Sequence, residues 1–347
     1  TNIVFETEEE LDSFVMKLAQ RTGKTVSAAQ PLLDGTLPDG SRVQITYGKD
    51  IARRGSNFSI RKFTKEPLTP VDLINYGTAN EEIFAYLWSA IESQLSILVA
   101  GGTATGKTTL LNAIALFIKP EMKIVSIEDT AELQLPHPNW IPQVARVGFG
   151  PSNYGAIDMF DLLKAALRQR PDYIIVGEVR GKEAYVLFQG IATGHPALGT
   201  IHADSMRAII DRLTSPPINL PMVLLENLDI AVFMTRTRVK GEYVRRVASI
   251  EEIIGYNYRK KMIEWIKSFE WDPASDTFIS HKSYILRKIM ESKGLKEEEF
   301  REDLKFKRDI LSWLRKNNIR NYKEIAKYIE LYYYEPEKLS KIIYGTI

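Results

Sequence analysis

Ser96-Ile97-Leu98-Val99-Ala100-Gly101-Gly102-Thr103-Ala104-Thr105-Gly106-Lys107-Thr108-Thr109-Leu110-Leu111-Asn112-Ala113-Ile114 holds the decisive signal of the chain. Five mostly apolar residues make a strand, and Leu110 to Ile114 begin a helical pattern; between them lies G-x-x-x-x-G-K-S/T, from Gly101 to Thr108. Glycines let the backbone turn so that successive N–H groups converge on phosphate, and the helix that follows adds its positive end. Gly101, Gly102, Thr103, Ala104, Thr105 and Gly106 supply the cradle, with Thr109 beside it at the helix start. Lys107 is placed to reach the β- and γ-phosphates and Thr108 to hold Mg²⁺. The ligands expected are therefore ATP and Mg²⁺.

Working outward, short apolar runs alternate with helical patterns from about Val71 to Gly255, which implies a parallel sheet covered by helices. Strands are expected at Lys123–Ile127, Tyr173–Val176 and Ala197–Ile201, the last on the far side of the sheet, with a helix at Phe160–Arg168. Ile174-Ile175-Val176-Gly177-Glu178 has the form of the second strand of a phosphate-binding site, with glycine where an aspartate commonly stands and Glu178 as the acid. Ile124 to Ile127 lead into Glu128, Asp129 and Glu132, any of which can orient or deprotonate an attacking water. His195 and His202 flank the run from Ala197 to Ile201; a histidine at a strand end beside phosphates can donate to the γ-phosphate or report its loss.

Before this block, Glu8–Gln20 reads as a helix, and turn signals then give way to alternation at Arg42–Tyr47: a small α+β unit. The proline-bearing stretch from Phe63 to Pro70 reads as a connector. After the block, Tyr284–Lys293, Glu297–Lys316 and Tyr322–Leu331 read as helices. The domain expectation is an α+β domain at 1–65, a linker at 66–80, the nucleotide-binding core at 81–255 and a helical region at 256–347.

Composition narrows the chemistry. The 347 residues carry 46 basic and 44 acidic side chains, a net charge of +2, so no general attraction to nucleic acid is expected. Cysteine is absent, which excludes disulfides and thiolate metal sites. No long apolar run and no leader pattern stand out, so an intracellular location is expected. The chain opens on Thr1 rather than methionine, and a preceding segment is expected.

The order of four elements resembles the secretion ATPase superfamily: the phosphate loop, I-E-D-T-x-E at 127–132, V-G-E at 176–178, and G-H-x-x-x-G-T-x-H at 194–202. In that family they are the Walker A, Asp box, atypical Walker B and His box. The resemblance implies a RecA-like P-loop core, with Glu132 as first choice for the catalytic carboxylate and Glu128 as second. It implies that Glu178 positions Mg²⁺ through water and that His195 and His202 sense the γ-phosphate. By the same resemblance, Arg61, within Arg53–Phe63, closes over the nucleotide, with Arg146, Arg168 and Arg170 as further cationic candidates. It also implies a homo-hexamer on the inner face of the cell membrane, with a polytopic platform protein, accessory motor proteins and an acidic lipid surface as partners. The C-terminal region, including Phe269-Glu270-Trp271-Asp272-Pro273, is most similar to the archaeal branch and, within it, the archaellum motor. The alternatives are a pilus-assembly or type II secretion ATPase and, from another class, a helicase-like nucleic-acid motor.

Overall fold

The computed structural model describes residues 4–63, 66–146, 148 and 155–345, which form two compact units divided between residues 65 and 66. In the first, helix α1 (Glu8–Arg21) packs on an antiparallel sheet ordered β1 (Leu32–Thr36), β2 (Arg42–Thr46), β3 (Asn57–Arg61). Thr7 caps α1 by accepting the Glu10 N–H, and Glu8, Glu9 and Glu10 complement the helix dipole. Val15, Leu18 and Ala19 from the helix meet Leu33, Val43 and Ile45 from the sheet.

The second unit opens with α2 (Pro70–Asn75) and α3 (Glu81–Glu92). A linker expected at 66–80 is corrected here: Thr69 and Asp72 close a capping box on α2, and residues 70–74 of this helix are buried. The proline that suggested a break sits at the first helical turn, where its missing N–H costs nothing.

From β4 (Ile97–Gly101) the chain alternates through α4 (Lys107–Ala115), β5 (Ile124–Glu128), β6 (Trp140–Val144), α5 (Met159–Arg168), β7 (Tyr173–Val179), α6 (Glu183–Ala192), β8 (Ala197–Ile201) and α7 (Met206–Thr214). It then runs through β9 (Ile230–Val239), β10 (Glu242–Asn257), β11 (Met262–Asp272) and β12 (Thr277–Ser280). These make one sheet ordered β12-β11-β10-β9-β4-β8-β7-β5-β6. From β9 to β6 neighbours pair in parallel, and β10 to β12 add antiparallel hairpins. Strand β8 is therefore not at the far side, as its late position suggested; it lies between β4 and β7. Residues 256–280, expected within a helical region, extend the sheet instead, because β-branched and aromatic residues alternate there at the period of a strand.

Alternate residues of β4 divide between two cores: Ile97 and Val99 face α3 and α4, while Leu98 and Ala100 face α5, α6 and α7. The first core also receives α8 (Tyr284–Lys293), α9 (Glu297–Lys316), α10 (Tyr322–Tyr334) and α11 (Pro336–Tyr344). Trp88 of α3 stacks on Phe117 and donates its indole N–H to the Tyr333 hydroxyl, which in turn donates to the Phe117 carbonyl. Lys307, fully buried, donates to Ser89 Oγ at 2.9 Å, Glu92 at 2.7 Å and Asp303 at 2.6 Å. The last helices thus complete the core.

Candidate nucleotide site

All six parallel strands end at one edge of the sheet, and the phosphate loop lies there between β4 and α4. Backbone shape explains its sequence. A Cβ on Gly101 would sit 2.6 Å from the Met234 carbonyl oxygen, Ala104 is left-handed at φ 60°, and Gly106 caps α4 at φ 93°. Thr105 donates to the Gly102 carbonyl at 2.9 Å, and Lys107 Nζ donates to the same oxygen at 2.8 Å. Burial draws the Lys107 ammonium below the usual lysine range, and the Glu178 charge opposes that shift. The cradle fits a polyphosphate: a glycine-shaped turn, a helix N-terminus and a lysine facing an acid.

The two acidic strands reach the same edge by different devices. Between Val176 and Val179 the pairing of β7 with β8 slips, so Gly177 and Glu178 sit in a bulge, which re-aims a side chain. Thr200 Oγ1 closes the bulge by donating to the Gly177 carbonyl at 2.5 Å. A Cβ on Gly177 would lie 3.1 Å from Glu128 Cγ. Glycine stands at the usual aspartate position because the neighbouring strand's glutamate fills that space.

Glu128 ends β5 and is 2% exposed. Its Oε1 accepts the backbone N–H groups of Glu132 at 3.0 Å and Leu133 at 3.1 Å, which pins the following loop. Burial pushes its carboxyl up to about 7 despite those two bonds, with the nearby Glu132 charge adding to the rise. The loop is tied to α4 as well, through the Gln134 N–H to Asn112 Oδ1 at 2.8 Å. Glu132 lies half-buried on it.

The histidines separate. His202 directly follows β8 and, since Ile201 pairs with Ala100, lies beside the phosphate-loop edge. His195 precedes β8 and sits at the opposite edge, roughly 20 Å away along the strand. His195 and His202, both expected to sense the γ-phosphate, are thus held at opposite ends of β8. Arg168 and Arg170 precede β7 at that opposite edge too, whereas Arg146 follows β6 at the phosphate edge and donates to the Gly155 carbonyl at 2.8 Å. Arg61 ends β3 in the first unit and is exposed.

Two arginines at this edge escaped the sequence reading. Arg180, beyond β7, pairs with Asp129 beyond β5. Arg245 of β10 donates from Nε to the Ala104 carbonyl at 3.0 Å, although 141 residues separate the two. No motif announces either. Among the described residues no group of three His, Cys, Asp or Glu converges, so a divalent ion held by Thr108 and Glu178 would take its other ligands from phosphate and water. Nor, among them, is any helix long and apolar enough to cross a membrane.

Residues 1–228 match the family model described as type II/IV secretion system protein. An uncharacterised protein of Methanocaldococcus jannaschii is 52% identical over 261 residues, covering 75% of this chain and 96% of that one. Another from the same organism is 43% identical over 338 residues, covering 96% of this chain, which spans 61% of that relative's length. The probable conjugal transfer protein TrbB of Sinorhizobium fredii is 35% identical over 243 residues, 67% of this chain and 71% of its own. Among solved structures, the VirB11 ATPase of the Brucella suis type IV secretion system, in complex with sulphate, aligns at 25% identity and TM-score 0.42, covering 70% of this chain and 80% of its own.

Proposed function

Because the chain belongs to the type II/IV secretion system protein family, we propose that it is the ATP-hydrolysing motor of a secretion or pilus-like machine, working as a ring of identical subunits. The observation that carries this reading is the convergence of the phosphate loop, Glu178 and the Glu128–Glu132 loop at one sheet edge, locked by Gly177 against Glu128.

Each residue has a distinct task in this reading. The N–H groups of the loop and of α4 hold the phosphates, and Lys107 leaves the Gly102 carbonyl to reach them. Thr108, and Glu178 through water, would hold Mg²⁺, which would neutralise charge on the phosphates. Glu132 takes the proton of the attacking water, and Glu128 is the strut that aims it, since one Glu128 oxygen is already committed to the loop backbone. His202 reports the γ-phosphate. Arg61 enters as a cation closing over the nucleotide, and the ring brings such cations from neighbouring chains.

The identity of the machine is part of this proposal. Relatives in Methanocaldococcus jannaschii and the character of the C-terminal region support the archaeal branch, where a filament such as the archaellum is the client and a membrane platform protein the partner. The motor docks peripherally in this reading.

Steady-state Mg·ATP hydrolysis across a range of protein concentrations tests it. Specific activity should rise with concentration, and Lys107→Ala should remove at least about 99% of turnover, as loss of a central phosphate contact does. Glu132→Gln should keep ATP binding and slow turnover roughly a hundredfold. Normal turnover in Lys107→Ala would sink the assignment, and stimulation by single-stranded DNA would move it to a nucleic-acid motor.

A further inference from the structure

Strands β9 and β10 continue past the phosphate loop as a hairpin, and one face of that hairpin has no task in the reading above. Gly101 pairs with Met234, so residues 235–239 of β9 project beyond the loop. Arg236 and Arg238 follow Met234 at the strand period of two and share its face, and Arg236 and Arg238 stand opposite Arg245 and Tyr243 on β10. Met234 itself abuts the loop: its Cβ lies 3.2 Å from a Cβ built on Gly101. The face that starts at the phosphate cradle thus continues as three arginines around one tyrosine.

This face is ordered although exposed. The Arg236 and Arg238 guanidinium carbons each lie 4.5 Å from the Tyr243 ring centroid, and Arg238 donates to the Tyr243 hydroxyl at 3.1 Å. Tyr243 is 61% exposed. Arg245 joins this cluster to the loop through the Ala104 carbonyl, and its Cδ lies 3.1 Å from a Cβ built on Gly106, over the start of α4. Arg236 and Arg238 sit roughly 7 and 13 Å past Met234 along the strand, the scale of a nucleoside hung from phosphates held at the cradle. Flat guanidinium and phenol surfaces stack on a base, a combination a merely solvated charged face does not need.

We propose that this hairpin face is the base-end subsite of the nucleotide site: Arg236, Arg238 and Tyr243 receive the base and ribose of a nucleoside triphosphate, and Arg245 couples their occupancy to the phosphate loop. The proposal rests on the reading of Gly101–Thr108 as a phosphate cradle and adds where the rest of the ligand lies. It also gives the loop a sensor in the same chain: a base drawn onto the hairpin shifts the strand that carries Arg245, and Arg245 holds the carbonyl of the left-handed Ala104.

Calorimetric binding of Mg·ATP and Mg·tripolyphosphate to the full chain separates the two ideas, because the second probe has the phosphates without base or ribose. In Arg236→Ala/Tyr243→Ala, ATP affinity should fall roughly tenfold while tripolyphosphate affinity stays within about twofold, and Tyr243→Phe should bind ATP like the parent. Equal weakening of both probes would make the hairpin a source of positive field only, and no weakening of ATP would give it to another partner such as an acidic protein surface; either overturns the proposal. Lys107→Ala should lose both probes. Retention of both there would instead bring down the cradle reading, whatever the hairpin variants do.

Discussion

Glu128 and Glu252 occupy one sheet at 2% and 0% exposure, yet the protein engages their oxygens in opposite ways. Glu252, on β10, has every oxygen engaged: Oε1 accepts the hydroxyls of Tyr86 at 2.8 Å and Ser283 at 2.6 Å. Its Oε2 accepts the first N–H groups of α8, Tyr284 at 2.6 Å and Ile285 at 3.0 Å. Glu128 has two donors on one oxygen, and its other oxygen makes no hydrogen bond among the described residues. A buried carboxylate with four donors is cement. One that keeps an oxygen in reserve is poised to change protonation when something arrives, and it lies where phosphate chemistry would need that.

Mutations can break or sharpen this contrast. The largest effect belongs to Glu252→Ala, which orphans four donors at a buried helix start and should cost at least about 4 kcal/mol in denaturant unfolding. A cost below about 1 kcal/mol would show that Glu252 is not cement. Next comes pH. Because the Glu128 carboxyl is raised in the folded chain from 4.5 to about 7, the native state binds more protons than the unfolded state between those values. Its contribution to stability is therefore greatest below about pH 4.5 and falls by about 3 kcal/mol as pH rises to 7. Glu128→Gln, whose amide oxygen can still accept both N–H groups, should flatten that slope and be more stable than the parent at pH 8. A parallel slope in the variant would assign the titration elsewhere. The smallest effect is Gly177→Ala. The added methyl must push Glu128 Cγ outward by a few tenths of an ångström, costing about 1 kcal/mol in thermal unfolding while slowing turnover more than stability alone predicts.

Much of this is legible in the sequence, for physical reasons that differ by region. The phosphate loop is local: strand, glycines, lysine and helix are contiguous, so residues 96–114 determine their own geometry. The C-terminal helices were legible too, since 284–293 and 297–316 keep an unbroken helical period. What failed was relation. Nothing near Ala197 says that β8 inserts between β4 and β7, and so nothing near His195 says that it lies at the edge opposite His202. The proline-rich entry at 66–80 looked loose because prolines mark both connectors and helix starts, and only burial separates the two cases. Gly177 looked like a missing aspartate until Glu128 was seen to fill its space. Arg245 was silent because its partner lies 141 residues away. Family resemblance placed the acids in order; only the fold shows that Glu128 is buried and spends one oxygen on the backbone of the loop that carries Glu132.

The dependence of α3 on helices from the far end of the chain bears on how the protein is made. Trp88 has its partner in Tyr333, Glu92 in Lys307, and Leu339 is wholly enclosed in the core that backs the phosphate-loop helix. During synthesis the strands and helices α3 and α4 leave the ribosome before those C-terminal helices exist, with the outer side of α3 still uncovered. A ribosome stalled near residue 280 would hold a chain with its phosphate loop already written but with Trp88 and Glu92 lacking their partners Tyr333 and Lys307. The core behind the phosphate-loop helix is thus completed only once residues 284–344 have emerged.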